Sequence, residues 1–381
     1  MKKICYVVTI PSTIRSFFIP QLKYLSENGF DVTVICSPDD GLQEELGDKI
    51  CYIPVDIPRG ISVLGSIHAT KNLLKIFKEE KFDLIQYSTP NAALYSSIAS
   101  IIAGCKIRNY HLMGFRYLGA SGIAKIILKS IEKITCKLST SIECVSKSNL
   151  ELGVKEKVFQ RDKTVVVWNG STGGVDLNRF NINHKEEWRK AVRNEYNISD
   201  DEFVFGFVGR VTKDKGIDEL LEAYKMLIDD IDDTRLMIVG DFEAEENLNQ
   251  ELLVWSKKCD NVVYISSKQD IERYYAAFDV LVLPSYREGF GNVVIEAEAM
   301  GVPVIVTDIP GPTDAMIKNE TGLVVKKADV DTLVDAMKKM LNDEQFCKMC
   351  GVNAIDFAKN NFEQKMLFQY ILEDRKRLLG E

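Results

Sequence analysis

The sequence contains no run of 18 apolar residues free of charge, so no segment reads as a membrane-spanning helix. Its opening stretch, MKKICYVVTIPSTIRSFF, lacks a long apolar core closed by a small-residue cleavage site. That leads to the expectation of a chain without a secretory leader, made and kept in the cytosol. Histidine is scarce: His68, His111 and His184 are the full set. Without an H-x-x-x-H pair among them, a zinc site is not expected. The nine cysteines stand mostly singly inside apolar runs, an odd number without framework spacing, and are expected to be reduced core residues. Cys347 and Cys350 form the one C-x-x-C, alone in a helical stretch, which reads as packing rather than metal or redox chemistry. Low-complexity tracts and short repeats are missing, as are zinc-finger spacing, a basic zipper and an aromatic RNA-binding strand. Nucleic acid is therefore not an expected partner.

What is present fits a soluble globular chain, with 46% apolar and 27% charged residues. At 381 residues it exceeds the roughly 250–300 that one hydrophobic core accommodates, so two domains are expected. The net charge of −8 hides an asymmetry. Residues 1–180 carry 23 Lys/Arg against 17 Asp/Glu, a net of +6, and residues 181–381 carry 25 against 39, a net of −14. The basic half suits an anionic membrane surface or a phosphorylated ligand.

Short β-branched runs recur, each followed by helical spacing: KICYVVTI, VTVICS, FDLIQYS and SIECVS in the first half. The rhythm restarts after position 200 with FVFGFVG, RLMIVG, NVVYIS, DVLVLPS and VPVIVTD. Near-continuous apolar strands alternating with helices predict parallel sheets covered on both faces. The expected fold class is thus α/β, with two doubly wound Rossmann-like domains. The first is placed at 1–180 and the second at 181–360. Their joint is expected around 176–200, a polar stretch without strand character. Residues 361–381 read as a closing helix returning to the first domain.

Two clusters carry candidate chemistry. In PSYREGFGN a buried strand ends at Pro284 and a helix is expected near Asn292, a good N-cap residue. Gly289 and Gly291 would let backbone approach a ligand, and a helix amino end favours an anion. Taken alone, the loop reads equally as a plain tight turn. In FVGRVTKDKG, Gly209 and Arg210 end a strand, and Lys213 and Lys215 precede a helix. Three cations in six residues at a strand's carboxyl end suit a diphosphate, or else form a solvated basic loop. Both clusters follow strand ends of one domain, where α/β sheets bind ligands. The acidic run Asp229-Asp230-Ile231-Asp232-Asp233 contains an Asp-x-Asp spacing but trails a helix on its polar side, and reads as a solvated loop.

The spacing Glu288-x7-Glu296 within EGFGNVVIEAEAMGVPVI, with GRVTKDKG about 80 residues earlier and NGSTGGVD at the joint, resembles the family-4 glycosyltransferases of the GT-B fold. The likeness runs over essentially the whole chain and is strongest over 200–330. It implies that the first domain binds an acceptor and the second a sugar nucleotide, with reaction in the cleft between them. By this resemblance Arg210 and Lys215 hold the diphosphate beside Gly209, Glu288 contacts the donor sugar, and Glu296 accepts bonds from the ribose hydroxyls. The amides of Gly289, Phe290, Gly291, Asn292 and Val293 serve sugar and phosphate. The same likeness puts His111, expected to open the loop HLMGFRYLG, near the transferred sugar. Arg116 of that loop is an acceptor candidate. The family's glycine-rich turn after the first strand is absent here; Ser12, Thr13 and Arg15 are the side chains that could replace it.

In SGIAKIILKSIEKITCKL, Lys125, Lys129, Lys133 and Lys137 form a drifting stripe beside Ile123, Ile127, Ile134 and Leu138. Such a helix faces a membrane or packs as an ordinary surface helix. Similarity to bacterial surface-polysaccharide transferases favours the membrane. The expected activity is a retaining, metal-independent transfer of a hexose or N-acetylhexosamine from a UDP-sugar co-substrate to a polyprenyl-diphosphate-linked saccharide. The enzyme would sit peripherally at the inner face of the cytoplasmic membrane. Alternatives are a soluble-acceptor transferase, a nucleotide-sugar epimerase on the same fold, and a non-catalytic sugar-binding protein.

Overall fold

In the first strand, Ile4 and Tyr6 face one helical layer while Cys5 and Val7 face the other, so both sides of the sheet are dry. A computed structural model describes residues 1–60, 62–229, 231 and 233–381. Asp230 and Asp232 of the acidic run lie outside the described residues.

The chain forms two units, Met1–Gly173 with Lys365–Glu381, and Gly174–Gln364. In domain 1 the order is β1 (Lys2–Val7), α1 (Pro11–Phe17), α2 (Ile19–Glu27), β2 (Phe30–Cys36), α3 (Leu42–Leu46) and β3 (Ile50–Pro54). It continues with α4 (Val63–Glu80), β4 (Leu84–Tyr87), α5 (Pro90–Ile102), β5 (Ile107–Leu112), α6 (Gly122–Leu138), β6 (Ser141–Cys144), α7 (Lys147–Lys155) and β7 (Thr164–Val165). Domain 2 runs α8 (Lys185–Glu195), β8 (Phe203–Val208), α9 (Ile217–Ile228), β9 (Thr234–Val239), α10 (Gln250–Ser256), β10 (Val262–Ile265) and α11 (Ile271–Ala277). Then follow β11 (Val280–Leu283), α12 (Asn292–Ala299), β12 (Val304–Thr307), β13 (Gly322–Val325), α13 (Val330–Asn342) and α14 (Glu344–Phe362). The last helix, α15 (Gln364–Leu379), belongs to domain 1 from Lys365 onward.

Some helix starts are fixed by a side-chain cap. Ser62 accepts from Gly65 N at 3.2 Å, Asp329 from Thr332 N at 3.0 Å and Asp343 from Phe346 N at 3.0 Å.

Both sheets are parallel, with orders β3-β2-β1-β4-β5-β6-β7 and β10-β9-β8-β11-β12-β13. The order reverses between β1 and β4 in one and between β8 and β11 in the other. A crevice opens at the carboxyl ends of such strands, because successive connections leave toward opposite sides. On one face of the domain 1 sheet lie α1, α2 and α15, the last contributing Leu367, Phe368 and Ile371. On the other lie α4, α5 and α6, through Leu73, Phe77, Ala92, Ala99 and Cys136.

The observed division corrects the expected boundaries. It falls at Gly173/Gly174 and again at Gln364/Lys365 rather than near 180 and 360. The polar stretch 181–200 is not a free joint. Its helix α8 packs on α11 by burying Val192 and the whole of Arg193, whose Nη2 donates to Asp279 Oδ2 at 2.7 Å and to Ala277 O at 3.1 Å. A buried arginine satisfied by fixed acceptors makes a charged sequence part of a core.

Candidate active site

In domain 2 the two expected clusters meet at the switch point, because β8 and β11 are neighbours and both end there. Gly216, the N-cap of α9, has φ +75°, and a Cβ on it would come within 2.1 Å of Pro284 O. Only glycine allows these two loops to approach so closely. Main-chain and side-chain hydrogen bonds then hold this junction. Tyr286 N donates to Asp214 O at 2.9 Å, Arg287 Nη2 to Asp214 Oδ2 at 2.9 Å, and Thr212 Oγ1 to Asp214 Oδ1 at 2.6 Å.

Lys215 Nζ donates to Glu288 Oε1 at 2.5 Å, and Ser285 Oγ donates to the same oxygen at 2.8 Å. Lys215 is 18% and Glu288 12% exposed, so this pair is held in a setting of reduced screening. Glu288 takes one of the ammonium's three donors and fixes where the others can point. Arg210, half-exposed, is held by Glu243 Oε2 at 2.7 Å and lies 4.0 Å from Asp214. Lys213 is more exposed and lies 4.0 Å from Asp218. The cations read from sequence therefore carry carboxylate partners. An anion entering here exchanges one set of oxygens for another around groups already positioned.

The helix start differs by one residue from expectation. Gly291, at φ +93°, is the N-cap, and Asn292 is the first helical residue of α12. A left-handed backbone at the cap position suits glycine, which decides between the two. The Phe290 ring is buried against Phe362, with centroids 5.2 Å apart, so only its main chain remains for a ligand. Gly289 leads into this turn, and Val293 in the first turn of α12 is half-buried. Glu296, one turn in, accepts from Tyr275 Oη at 2.8 Å. Burial pushes its carboxyl above the usual range, while the Tyr275 bond and nearby Arg179 pull it back. Asp214, Ser285, Arg287 and Tyr275 were not singled out from sequence. The alternation of opposite charges in KDK and YRE was the available signal.

In domain 1 His111 does not open a loop. It is the penultimate residue of β5, 2% exposed, edge-on to Phe18 at 5.5 Å, with Ser88 Oγ 3.4 Å from Nδ1 and Glu143 Oε1 3.8 Å from Nε2. Burial pulls its pKa down to about 4, so the imidazole is neutral at pH 7. The strand extends through Leu112 because its pairing with β6 continues to Cys144. At the nearby switch point Thr9 N and Thr9 Oγ1 lie 3.0 and 2.7 Å from Thr89 Oγ1. Thr89 has φ +66°, a conformation strained for a β-branched residue.

Ser12 is exposed and Thr13 half-buried in the first turn of α1. Arg15, like Arg210 and Lys215, already carries carboxylate partners. Its guanidinium donates to Asp39 at 2.8 and 2.9 Å and to Glu45 at 2.7 Å, and holds the Asp39 carboxyl down to about 2. Arg116, exposed at the start of a 3-10 turn, has no ion-pair partner among the described residues.

The lysine stripe of α6 is broken at Lys129, which pairs with Glu156 at 2.7 Å and lies over the Tyr117 ring. Lys125, Lys133 and Lys137 are exposed, and so are Ile123, Ile126, Ile127 and Ile134. Cys347 and Cys350 lie buried in α14, their thiols pushed up to about 12 and 11 by desolvation. Among the described residues no cluster of three or more metal-ligating side chains occurs, and no helix is long and apolar enough to cross a membrane.

Beneath α15 a buried polar network joins four strands. Arg375, fully buried, donates to Glu143 at 2.7 Å, Gln86 Oε1 at 2.7 Å, Asp374 Oδ2 at 2.6 Å and Tyr6 Oη at 3.3 Å. Asn109 Nδ2 also donates to Glu143 at 2.8 Å and Gln86 at 3.1 Å. Burial alone would raise the Glu143 carboxyl, yet Arg375 holds it below its ordinary value.

Two family models match the chain, "Glycosyl transferases group 1" over residues 189–357 and "Glycosyltransferase Family 4" over 21–177. The chain is 28% identical to the capsular polysaccharide biosynthesis glycosyltransferase CapM of Staphylococcus aureus, covering 97% of this chain and 95% of that protein. It is 27% identical to the Escherichia coli UDP-Gal:alpha-D-GlcNAc-diphosphoundecaprenol alpha-1,3-galactosyltransferase, with 96% of each covered. Among solved structures, Anabaena Alr3699/HepE in complex with UDP superposes with a TM-score of 0.80 at 19% identity, over 99% of this chain and 100% of that one.

Proposed function

For this chain, which belongs to the family-4 glycosyltransferases of the GT-B fold and transfers glycosyl groups, we propose a UDP-sugar as donor and a polyprenyl-diphosphate-linked saccharide as acceptor. The product is a lengthened surface glycan precursor. One observation carries the donor side. Two loops, each following one of the strands that flank the domain 2 switch point, bring Lys215 onto Glu288 beside the amino end of α12.

Cleaving the anomeric bond places negative charge on the departing diphosphate. Fixed cations and backbone donors lower that barrier because they need no reorganisation as the charge develops. Lys215 and Arg210 receive the diphosphate beside Gly209, and the amides at 289–293 add donors at the helix amino end. Glu288 orients Lys215 and faces the transferred sugar, and Glu296, steadied by Tyr275, accepts from the ribose hydroxyls. These charges supply what a divalent ion would, so transfer proceeds without one. The family likeness favours retention of configuration, by front-face attack assisted by the leaving phosphate; among the described residues the bonds given for Glu288 go to Lys215 and Ser285 and not to a second carboxylate. His111, neutral and buried near the carboxyl end of β5, is the domain 1 candidate for contact with the transferred sugar.

The acceptor side draws on the E. coli relative's diphosphoundecaprenol substrate and on the outward face of α6, whose isoleucines and lysines suit an anionic leaflet. The enzyme then works peripherally at the inner face of the cytoplasmic membrane.

A thermal-shift screen across nucleotide sugars tests the donor, since ligand at 100 times its dissociation constant stabilises by about 2.7 kcal/mol. Stabilisation by guanosine but not uridine sugars refutes it. A UDP-release assay with and without an organic extract of membrane lipids tests the acceptor. Equal rates without lipid would favour a soluble acceptor or an epimerase-like reaction. Loss of turnover in EDTA would overturn the metal-free reading.

A further inference from the structure

On the face of domain 1 opposite α15, helices α4, α5 and α6 leave between them a groove of about 920 Å³. Leu94, Ile98 and Ile102 of α5, one helical turn apart, run along its floor. Ile67 and Leu74 of α4 form one wall, and Ile123, Ile127 and Ile131 of α6 the other. From Asn91 to Ile102 the floor is about 16 Å long at 1.5 Å per residue.

The polar atoms along it are largely used internally. Ser66 Oγ bonds Tyr95 Oη at 2.6 Å, and Asn91 Nδ2 bonds the carbonyls of Pro58 and Gly60 at 2.5 and 3.0 Å. Glu132 accepts from Tyr110 at 2.6 Å. What remains is hydrocarbon plus two cations, Lys71 and Arg116, neither with an ion-pair partner among the described residues. Ile123, in its wall, is 77% exposed, and Ile126, beyond the lining on the same helix, is 66% exposed. An apolar patch of this kind on a globular domain marks a binding surface.

Orientation follows from the sheet. In a parallel α/β unit every helix starts at the carboxyl edge of the strands, so Asn91, Ile123 and Arg116 lie at that edge. Thr9 and Thr89 lie there too. The deeper end, at Ile102 and Ile131, lies toward the opposite edge.

We propose that this groove holds the first isoprenoid units of the acceptor lipid, with the diphosphate drawn to Arg116 at the mouth and Lys71 assisting along α4. The inference rests on the lipid-linked acceptor proposed above and adds where its chain lies. A hydrocarbon with an anionic head matches a dry trough that is cationic at its open end. A soluble sugar would leave the isoleucines wet. An apolar peptide would bring backbone groups with no free partners along the walls.

The test uses the full chain and farnesyl diphosphate as the probe, kept below its micelle concentration and followed by calorimetry. Inorganic diphosphate and dodecyl phosphate are the comparison ligands. Ile98→Trp fills the floor, Ile127→Ser removes part of a wall at an exposed position, and Ile126→Ser alters the outer face of α6 beyond the groove lining. Farnesyl diphosphate is expected to bind the parent at least tenfold more tightly than it binds Ile98→Trp or Ile127→Ser, and as tightly as it binds Ile126→Ser. Arg116→Gln is expected to weaken it several-fold as well. UDP affinity should be the same in all of them. Equal farnesyl diphosphate affinity in parent, Ile98→Trp and Ile127→Ser overturns the proposal. Dodecyl phosphate binding as tightly as farnesyl diphosphate overturns the isoprenoid assignment in favour of a general acyl-chain trough. Failure of the lipid-linked acceptor itself reads out separately, as UDP release that membrane lipid extract does not stimulate.

Discussion

Replacing Arg375 by Met should cost domain 1 about 3–5 kcal/mol, because it strips a buried carboxylate of its counter-charge while keeping side-chain volume. In the parent, Arg375 is fully buried and its guanidinium bonds Glu143, Gln86, Asp374 and Tyr6. Glu143, 5% exposed, would be left with Asn109 at 2.8 Å and a neutral His111 at 3.8 Å. Domains are stable by about 5–15 kcal/mol in total, so the loss is a large fraction, equivalent to about 6–20 °C in melting temperature for a domain of this size. Trp168, stacked on Tyr370 of α15 at 5.6 Å, reports undocking of that helix by fluorescence in a Trp188→Phe/Trp255→Phe background. Urea unfolding followed at that residue gives the free energy. The cycle is completed with Glu143→Gln and the double variant, which should lose less than Arg375→Met alone because no uncompensated charge remains. The pH dependence has a definite sign. In the parent Glu143 titrates below its ordinary value and contributes stability above it. Without Arg375, burial raises Glu143, so the variant loses stability as pH rises and its deficit widens from pH 5 to 8. His111, no longer opposed by Arg375, should titrate above 4. A deficit below 1 kcal/mol, or one equal in the single and double variants, would refute the reasoning.

Lys215→Ala should weaken UDP by about 1.5–3 kcal/mol, as expected for a charge-assisted bond, with Arg210→Ala similar and Lys213→Ala near the parent; calorimetry checks this, and equal affinities throughout would remove the assignment. Glu288→Gln should mostly lower kcat, whereas Glu296→Gln should weaken UDP itself, and initial-rate kinetics separate the two. Gly216→Ala, meeting Pro284 O at 2.1 Å from a left-handed position, should destabilise domain 2 and weaken UDP by pushing the two loops apart, read by thermal melts with and without UDP. Burial raises Glu132 to about 7, so its contribution is complete below pH 4.5 and is lost as pH rises through 7. Glu132→Gln should therefore gain on the parent by on the order of 3 kcal/mol between pH 5 and 8, measured by urea unfolding. Changing Lys125, Lys133 and Lys137 to Gln should reduce sedimentation with anionic vesicles and spare UDP affinity.

The two α/β series and the parallel sheets were legible because they depend on local periodicity, in apolar β-branched runs such as DVLVLPS; the start of α12 was legible only to within one residue, at Asn292 in place of Gly291. The family was legible for a related reason, since Glu288, Glu296 and GRVTKDKG stand at readable spacings in the sequence. Sequence also brought Arg210, Lys215 and Glu288 into one list, as the likeness implied. Only the folded chain joins Lys215 to Glu288 across 73 positions and Arg375 to Gln86 across 289. It also moves the domain boundary to Gly173, seals His111 inside β5, and commits Arg15 to Asp39 and Lys129 to Glu156. Each of these is a long-range electrostatic or packing choice among several nearby partners. The strand order sets distances that periodicity does not encode, and burial then decides which charges must be paired.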